Sequence, residues 1–233
     1  AVVAAVGSLA FVQEMEDLGA KNRSQCFLQK HRHEVTCLAV DVCGQKVATG
    51  DSHGNVHVWC AEEKAHLKQL PSKTKHDARG GIIALSFSRA AQYLVSVGGD
   101  ADHKMVVWDW EKGDGDAKAC VVAEDKCGNT KILDVACNPY DQKNAVSMVS
   151  VGMKHVKFWK MEEAKPGAKL TKYGGKTDTN VVCADFMPSL AEDPDAAAAA
   201  DMGYCLTGGL ENGQVSLSYY RVCSCITECV LLA

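Results

Sequence analysis

Histidine and cysteine are the residues whose spacing first suggests chemistry here, because both bind metal ions and both serve in acid, base or nucleophilic steps. Two pairs of histidines lie close together, His31 with His33 and His53 with His57. A zinc site requires ligands that converge tetrahedrally, and no Cys-x-x-Cys motif accompanies either pair. We therefore expect solvated or structural histidines, no metal site and no cofactor.

The twelve cysteines suggest a second kind of chemistry, a disulfide framework or a metal cluster. Most stand singly inside apolar runs, such as Cys37 in VTCLAV, Cys137 in VACNP and Cys183 in VVCADF. A free thiol in such a run behaves as a small hydrophobic group. The exception is C-x-C-x-x-x-C at 223–229, which would need a fourth ligand to hold a metal. We expect reduced thiols and a cytosolic protein.

Four acidic residues around the WDW motif raise the question of paired carboxylates for acid and base catalysis. Asp100 and Asp102 lie in a predicted hairpin turn, where Asp side chains bond their own backbone. Asp109 follows a strand Trp, and Glu111 comes two residues later. Because no nucleophile with an adjacent base accompanies them, we expect no catalytic residues and no enzymatic activity.

The sequence YGGKT at 173–177 is similar to the end of a phosphate-binding loop. The first glycine of G-x-x-x-x-G-K-[ST] would have to stand at the position of Leu170. The segment also leads into a predicted strand, so no helix N-terminus follows to bind a phosphate. The interpretation that we favour is a turn between two repeats.

The segment 64–79 is rich in positive charge and covers a predicted outer strand and the loop after it. Its candidate partner-binding residues are Lys64, Lys68, Lys73, Lys75 and Arg79. Such a patch would attract an acidic protein surface, with an ordinary solvated loop as the alternative. The formal net charge of −4 disfavours sequence-independent binding to nucleic acid, which needs clustered cations to displace phosphate counterions.

The elements that position these side chains are short predicted strands, arranged in a sequence repeat that occurs four times. Each copy has a β-rich run, a small-residue strand that ends in Gly, and an alternating strand that closes on an aromatic residue. Trp59, Trp108 and Trp159 occupy the closing position 49 and 51 residues apart, and Tyr219 occupies it in the fourth copy. No amphipathic helical stripe of useful length separates the strands.

This repetition predicts an all-β fold, a WD40-type β-propeller with four strands in each blade, in preference to a β-sandwich. The aromatic residues would fill the wedges between neighbouring blades, and burying each would contribute about 3 kcal/mol or more. His31 falls where WD40 repeats place a loop histidine that hydrogen-bonds towards the Trp strand.

The chain holds about four predicted blades and part of a preceding one, which together make an incomplete ring. The predicted units are the final strands of a preceding blade (1–30), four blades (31–76, 77–126, 127–174 and 175–220), a disordered insertion (189–202) and a divergent tail (221–233). An unclosed ring would expose two apolar blade faces to water. We therefore expect this segment to be unstable alone and the remaining blades to come from a longer chain.

Four segments are more specific than the wording of a generic blade. They are HRHEVTCLAV (31–40), ARGGIIALSFS (78–88), GGDADHKMVVWDWEK (98–112) and VGMKHVKFWK (151–160). The third has WDW after an Asp-rich turn that ends in Asp-His, and it resembles the second repeat of the echinoderm microtubule-associated protein-like family. The resemblance covers about residues 1–220 of the chain.

This resemblance implies a binding scaffold without catalysis, associated with tubulin, microtubules or microtubule-associated proteins. The implied location is the cytoplasm and cytoskeleton, with the ciliary axoneme as one site. The alternative function is a WD40 interaction hub of another cytosolic assembly without tubulin contact. The apolar opening at 1–12 falls short of the roughly 20 residues that a membrane helix requires, so we expect no membrane partner.

Overall fold

The computed structural model is built from antiparallel β-strands. It describes residues 2–13, 25–72, 75–77, 79–112, 120–141, 145–161, 165–187, 202–209, 215–221 and 229–231. Within these ranges, nineteen strands form one three-stranded sheet and four four-stranded sheets. None of the described segments is a helix long and apolar enough to cross a lipid bilayer.

Each sheet consists of strands that follow one another in the chain and pair as neighbours. The leading sheet is β1 (Val2–Val6), β2 (Leu9–Gln13) and β3 (Gln25–Leu28). The first blade is β4 (Val35–Val40), β5 (Lys46–Asp51), β6 (Val56–Cys60) and β7 (Ala65–Leu70). The second blade is β8 (Ile82–Phe87), β9 (Tyr93–Gly98), β10 (Lys104–Asp109) and β11 (Val121–Lys126). The third blade is β12 (Ile132–Cys137), β13 (Val146–Gly152), β14 (His155–Met161) and β15 (Thr171–Lys176). The fourth blade is β16 (Val181–Met187), β17 (Met202–Gly209), β18 (Val215–Arg221) and β19 (Cys229–Leu231).

The middle strands of the blades are buried on both faces, because another blade covers each side. Every residue of β6, β9 and β13 is buried. The inner strand β4, in contrast, alternates between half-buried and exposed side chains. Small and β-branched residues, as in VSMVSVG of β13, suit a strand that must pack closely on two sides.

Consecutive blades contact each other along their inner strands, β4 with β8, β8 with β12 and β12 with β16. The Trp residues fill the spaces between blades. Trp59 shares a hydrophobic cluster with Leu28 of the leading sheet, Trp108 one with Leu70 of the first blade, and Trp159 one with core residues of the second blade. The predicted fold class is confirmed: all-β, with four propeller blades and part of a preceding one in a ring that is not closed.

The inner strand of each of the four blades has an irregularity of register at its start, and the sequence shows no pattern that predicts it. The shifts lie at Val35/Cys37, Ile82/Ala84, Ile132/Asp134 and Val181/Cys183. A bulge of this kind increases the local twist and turns side chains towards a neighbour. The hydroxyl of Thr36, inside the first shift, donates to the carbonyl oxygen of Ile82 in the next blade. The bulges therefore supply polar contacts between blades.

The interpretation of YGGKT as a turn is wrong, because residues 173–176 belong to strand β15. Gly174 pairs with Lys157 of β14 and has a φ of +83°. A Cβ at this position would lie 2.8 Å from the carbonyl oxygen of Val156. The glycine therefore lets an irregular outer strand lie against β14, and from sequence this role is indistinguishable from a turn.

Two other predictions fall largely outside the described residues. Of the predicted insertion at 189–202, only Met202 is described, at the start of β17. In the predicted tail, Cys229–Leu231 form β19 and pair with Ser216–Ser218 of β18, so the tail supplies the outer strand of the fourth blade. The cysteine pattern at 223–229 lies outside the described residues except for Cys229.

Candidate functional site

Three buried side chains of the first blade form a hydrogen-bonded group that we call the first triad. The indole nitrogen of Trp59 donates to the Thr49 hydroxyl at 2.8 Å, and the Nε2 atom of His31 lies 2.7 Å from the same oxygen. Thr49 lies on β5 and Trp59 on β6, while His31 comes from the segment before β4. The triad therefore ties the blade entrance to its two middle strands.

Asp51 links the first triad to the hairpin turn between β5 and β6. One carboxylate oxygen lies 2.9 Å from Nδ1 of His31, and the other accepts the backbone N–H groups of His53 and Asn55 at 3.0 and 2.8 Å. Burial raises the pKa of the Asp51 carboxyl, but the hydrogen bonds from His31, Asn55 and His53 lower it more, so the net pKa lies below its ordinary value. A single carboxylate thus orients the histidine and closes the turn.

The second triad has the same core but an incomplete periphery. The indole nitrogen of Trp108 donates to the Ser96 hydroxyl at 2.7 Å, and Nε2 of His76 lies 2.8 Å from that oxygen. The Nδ1 atom of His76 is buried and has no hydrogen-bond partner among the described residues. Burial lowers the pKa of His76 to about 4, although the nearby charge of Asp100 acts in the opposite direction.

The third triad takes its histidine from a different element. The indole nitrogen of Trp159 donates to the Ser150 hydroxyl at 2.9 Å, and Nε2 of His155 lies 2.9 Å from this oxygen. His155 begins β14, on the same strand as Trp159, instead of lying ahead of the blade. Burial lowers the pKa of His155 to about 4, and burial raises the pKa of the Cys127 thiol before β12 to about 12. Cys127 is thus an inert thiol at neutral pH.

The sequence reasoning singled out His31 and the Trp residues but missed the other members of these triads. The missed members are Thr49, His76, Ser96, Ser150 and His155. A signal was present, since each hydroxyl stands one or two residues before a glycine in a buried second strand, as in ATG, VSVG and VSVG. Tyr219, at the aromatic position of the fourth copy, lies on β18 and pairs with Tyr204 of β17.

The candidate partner-binding residues of segment 64–79 are spread over both ends of strand β7. Lys64 occupies the turn before β7 with a φ of 55°, and Arg79 lies in the loop before β8. A six-residue strand spans about 20 Å, so these two cations do not form one compact patch. Lys73 lies outside the described residues. The role of this set in partner binding stays a prediction.

Two of these lysines contact the next blade. The Lys68 ammonium donates to the carbonyl oxygens of Glu111 and Lys112 at 3.2 and 2.9 Å. The Lys75 ammonium lies 2.8 Å from the Glu124 carboxylate on β11. This ion pair lowers the pKa of Glu124, with a smaller contribution from Lys104. Lys68 and Lys75 therefore also connect the first and second blades.

Three of the four acidic residues near WDW make structural contacts. One oxygen of Asp100 accepts the backbone N–H groups of Asp102 and Lys104 at 3.1 and 3.2 Å. Asp102 itself pairs with Lys126 at 2.6 Å. Asp109 pairs with a lysine three residues later, at 2.8 Å. In the described parts of the chain, no group of three or more His, Cys, Asp or Glu residues is arranged to hold a metal ion.

Comparison with known proteins assigns the family. The model of the echinoderm microtubule-associated protein first β-propeller matches residues 15–193. The chain belongs to this family. The matched range contains strands β3 to β16 and therefore all three triads.

Relatives with curated names are similar at lower identity. Echinoderm microtubule-associated protein-like 2 of Rattus norvegicus is 27% identical over 201 residues, covering 80% of this chain and 28% of that protein. Cilia- and flagella-associated protein 52 of Homo sapiens is 35% identical over 97 residues, covering 40% of this chain and 15% of that protein. The match therefore spans between about a seventh and little more than a quarter of the length of these relatives.

Solved structures show the same fold. A chain of the crystal structure of the mitotic checkpoint complex has a TM-score of 0.66 at 13% identity, covering 98% of this chain and 62% of that one. The WD40 domain of SCAP from fission yeast has a TM-score of 0.59 at 12% identity, covering 84% of this chain and 41% of that one. Both likenesses concern the propeller fold alone.

Proposed function

We propose that this chain is part of a non-enzymatic WD40 scaffold that binds tubulin, microtubules or microtubule-associated proteins. The observation that carries the proposal is the match of residues 15–193 to the first propeller of the echinoderm microtubule-associated proteins. Relatives named for microtubules and for cilia and flagella support a location on the cytoskeleton, with the axoneme as one site. The predicted blade boundaries are part of the same proposal.

The physical basis of this function is a rigid support that presents variable loops. The triads hold the first three blades with buried hydrogen bonds, and the buried Trp residues fill the gaps between blades. Such a framework changes little when a partner binds, so a partner surface would be recognised by exposed turns and outer strands. Asp100, Asp102 and Asp109 take part in turns and ion pairs, which suits a scaffold.

The basic residues of segment 64–79 are the proposed contacts for an acidic partner. Arg79 is exposed beyond one end of β7, and Lys64 occupies the turn at the other end. A partner would thus be met along the outer edge of the first blade. The exposed charge of Arg79 would steer association and be screened by salt, while Lys64 is half-buried in its turn.

Co-sedimentation with microtubules at low salt tests the proposal, with the chain produced together with the remaining blades that its unclosed ring requires. We expect the chain to pellet above background, and we expect Lys64→Glu, Lys73→Glu and Arg79→Glu together to weaken binding at least about fivefold. A matched control reverses three exposed lysines of other blades and loops, Lys131→Glu, Lys154→Glu and Lys169→Glu.

The outcomes separate the function from the surface. Absence of pelleting for the unaltered chain, together with absence from the cytoskeleton in cells, would contradict the tubulin-binding function. Equal loss of binding in the test and control variants would contradict only the assignment of the contact to segment 64–79.

A further inference from the structure

A polar pocket of about 390 Å³ lies beside the first triad, between the segment before β4 and strands β6 and β7. Two cations, Lys30 and Arg32, and three histidines, His33, His57 and His66, line it. We call it the His57 pocket. The pocket lies on the same blade as the candidate contacts Lys64, Lys68, Lys73, Lys75 and Arg79, but none of those residues lines it.

The positive charges in the His57 pocket, those of Lys30 and Arg32, have no carboxylate beside them in the pocket lining. Lys30 and Arg32 are both exposed, and neither forms a hydrogen bond or an ion pair with another residue of the described ranges. Asp51, whose charge reaches His57, is already bonded to His31 and to the backbone of the turn. Within the described residues, Lys30 and Arg32 therefore present two positive charges to solvent without a carboxylate partner.

The positive charge around the pocket contributes to lowering the pKa values of two of its histidines, His57 and His66. Nδ1 of His57 lies 2.9 Å from Nε2 of His66, so one ring must donate and the other accept. Burial lowers the pKa of His57 to about 3, helped by the charges of His31, His66 and Lys30 and opposed by Asp51. Burial, Lys30 and His31 also lower the pKa of His66. An anion in the pocket would act in the opposite direction on both rings.

The remaining lining suits an oxyanion with several acceptor oxygens. Asn55 and Gln69 add carboxamide groups to the pocket wall, and one N–H group of Asn55 is held by Asp51 at 2.6 Å. The guanidinium fork of Arg32 matches the spacing of two oxygens on one phosphorus. A metal cation, in contrast, would meet Lys30 and Arg32 as like charges.

We propose that the His57 pocket binds a phosphoryl group, held by Lys30, Arg32 and the pocket histidines. A dianionic phosphate matches two uncompensated cations, whereas a single carboxylate would leave one of them unpaired. The group would be supplied either by a free phosphate compound or by a phosphorylated side chain of a protein partner. The site goes beyond the proposed tubulin association and does not depend on it.

Titration of the full chain with inorganic phosphate, by calorimetry or by histidine ring NMR, tests the site. We expect saturable binding that weakens at least about tenfold in the double variant Lys30→Gln, Arg32→Gln, because both charge-assisted contacts are lost. Both side chains are exposed, so the variant retains the fold. The control Lys131→Gln removes one exposed charge elsewhere and should bind as the unaltered chain does. Equal affinity of the double variant and the unaltered chain would overturn the proposal.

Sulfate provides a second readout, because it stays dianionic from about pH 8 to about pH 6 while histidine gains its proton there. We expect saturating sulfate to raise the titration midpoint of His66 by about one pH unit, as an opposite charge within hydrogen-bonding distance does. An unchanged midpoint would overturn the proposal, and so would acetate binding as tightly as phosphate.

Peptides distinguish the two sources of the group. A phosphoserine peptide that binds more tightly than inorganic phosphate, while its serine and aspartate counterparts do not bind, assigns the pocket to a phosphorylated partner. Tighter binding of inorganic phosphate than of the peptide assigns it to a free phosphate compound. Equal binding of the serine and phosphoserine peptides would contradict phosphoryl recognition.

Discussion

The first and second triads have the same core and differ in what surrounds the histidine. In both, an indole donates to a hydroxyl that also contacts Nε2 of a histidine, at distances between 2.7 and 2.8 Å. In the first, Asp51 stands two residues after Thr49 and bonds Nδ1 of His31. In the second, the residue two after Ser96 is Gly98, and Nδ1 of His76 has no partner.

In the first blade one carboxylate both orients the histidine and closes the hairpin turn, and in the second blade the carboxylate does only the latter. Asp51 orients the histidine and closes its turn, whereas Asp100 closes its turn without bonding His76. A Cβ on Gly98 would lie 2.6 Å from Nδ1 of His76 and 2.7 Å from a carboxylate oxygen of Asp100. The blade therefore depends on the indole–hydroxyl bond and on packing, and it tolerates a histidine that is only half satisfied.

The largest effect is expected from removing the two histidines in parallel. His31→Ala should reduce the free energy of unfolding by about 3 kcal/mol, because it leaves a cavity and removes one hydrogen bond each from the buried Asp51 carboxylate and the Thr49 hydroxyl. His76→Ala should cost about 1 kcal/mol less, since the loss of volume is the same but no carboxylate loses a partner. Urea unfolding of both variants measures the difference. Equal costs would mean that Asp51 adds nothing to the first triad.

Gly98→Ala probes the crowded side of the second triad. The added methyl group would press on His76 and Asp100, and we expect a loss of about 2 kcal/mol in the free energy of unfolding. In a His76→Ala background the same change should cost less, because the ring that it meets is gone. A double-mutant cycle by urea unfolding measures this coupling. Strictly additive costs would place the strain of Gly98→Ala elsewhere.

Acid should destabilise the blades through the histidines that are buried in neutral form. The pKa values of His57, His76 and His155 are lowered to about 3, about 4 and about 4. The unfolded chain therefore binds protons that the folded chain does not, so stability is lost as the pH falls from about 6.5 towards those values.

A variant at one of these positions isolates the second triad. His76→Gln cannot take up the proton, so the loss of stability between about pH 7 and about pH 5 should be smaller by about 2 kcal/mol than in the unaltered chain. Urea midpoints at the two pH values measure it. The same pH dependence with and without His76 would show that this ring is not buried as a neutral group.

The smallest effect concerns the hairpin turns that accompany the triads. In the first blade, Gly54 takes the left-handed position of its turn, with a φ of 79°. In the third blade Lys154 takes it with a φ of 51°, and its N–H donates to the Asn180 side chain at 3.1 Å. Lys154→Gly should raise the free energy of unfolding by about 0.5 kcal/mol, measured by thermal unfolding. Destabilisation would show that the lysine side chain stabilises the turn by more than the strain costs.

The sequence was sufficient for the fold because the repeat is explicit. Alternating strands, Gly-ended second strands and Trp59, Trp108 and Trp159 recur at nearly one period, and a period of this length admits few architectures. The family followed from wording such as GGDADHKMVVWDWEK, in which the turn and the strand are distinctive together. The relatives and the family match agree with that interpretation.

Details that depend on three-dimensional proximity were beyond the sequence. His76 stands in a polar, loop-like stretch, and His155 contacts Ser150 across a turn, so neither shows a pattern along the chain. Gly174 looks like a turn residue, because sequence does not separate a turn from a strand that lies close to another backbone. Lys64 and Arg79 belong to one positively charged segment of the sequence, yet strand β7 separates them in the structure.

The central claim is that this chain is a propeller scaffold whose outer edge contacts a cytoskeletal partner. A density map of the chain bound to microtubules tests this claim most directly. We predict blades that keep the hydrogen-bonded triads of the free chain, with the outer edge of the first blade, Lys64 and Arg79 included, against the partner surface. Decoration with contacts made only by other blades would contradict the proposed surface. Microtubules that stay undecorated at saturating concentrations of the chain would contradict the proposed function.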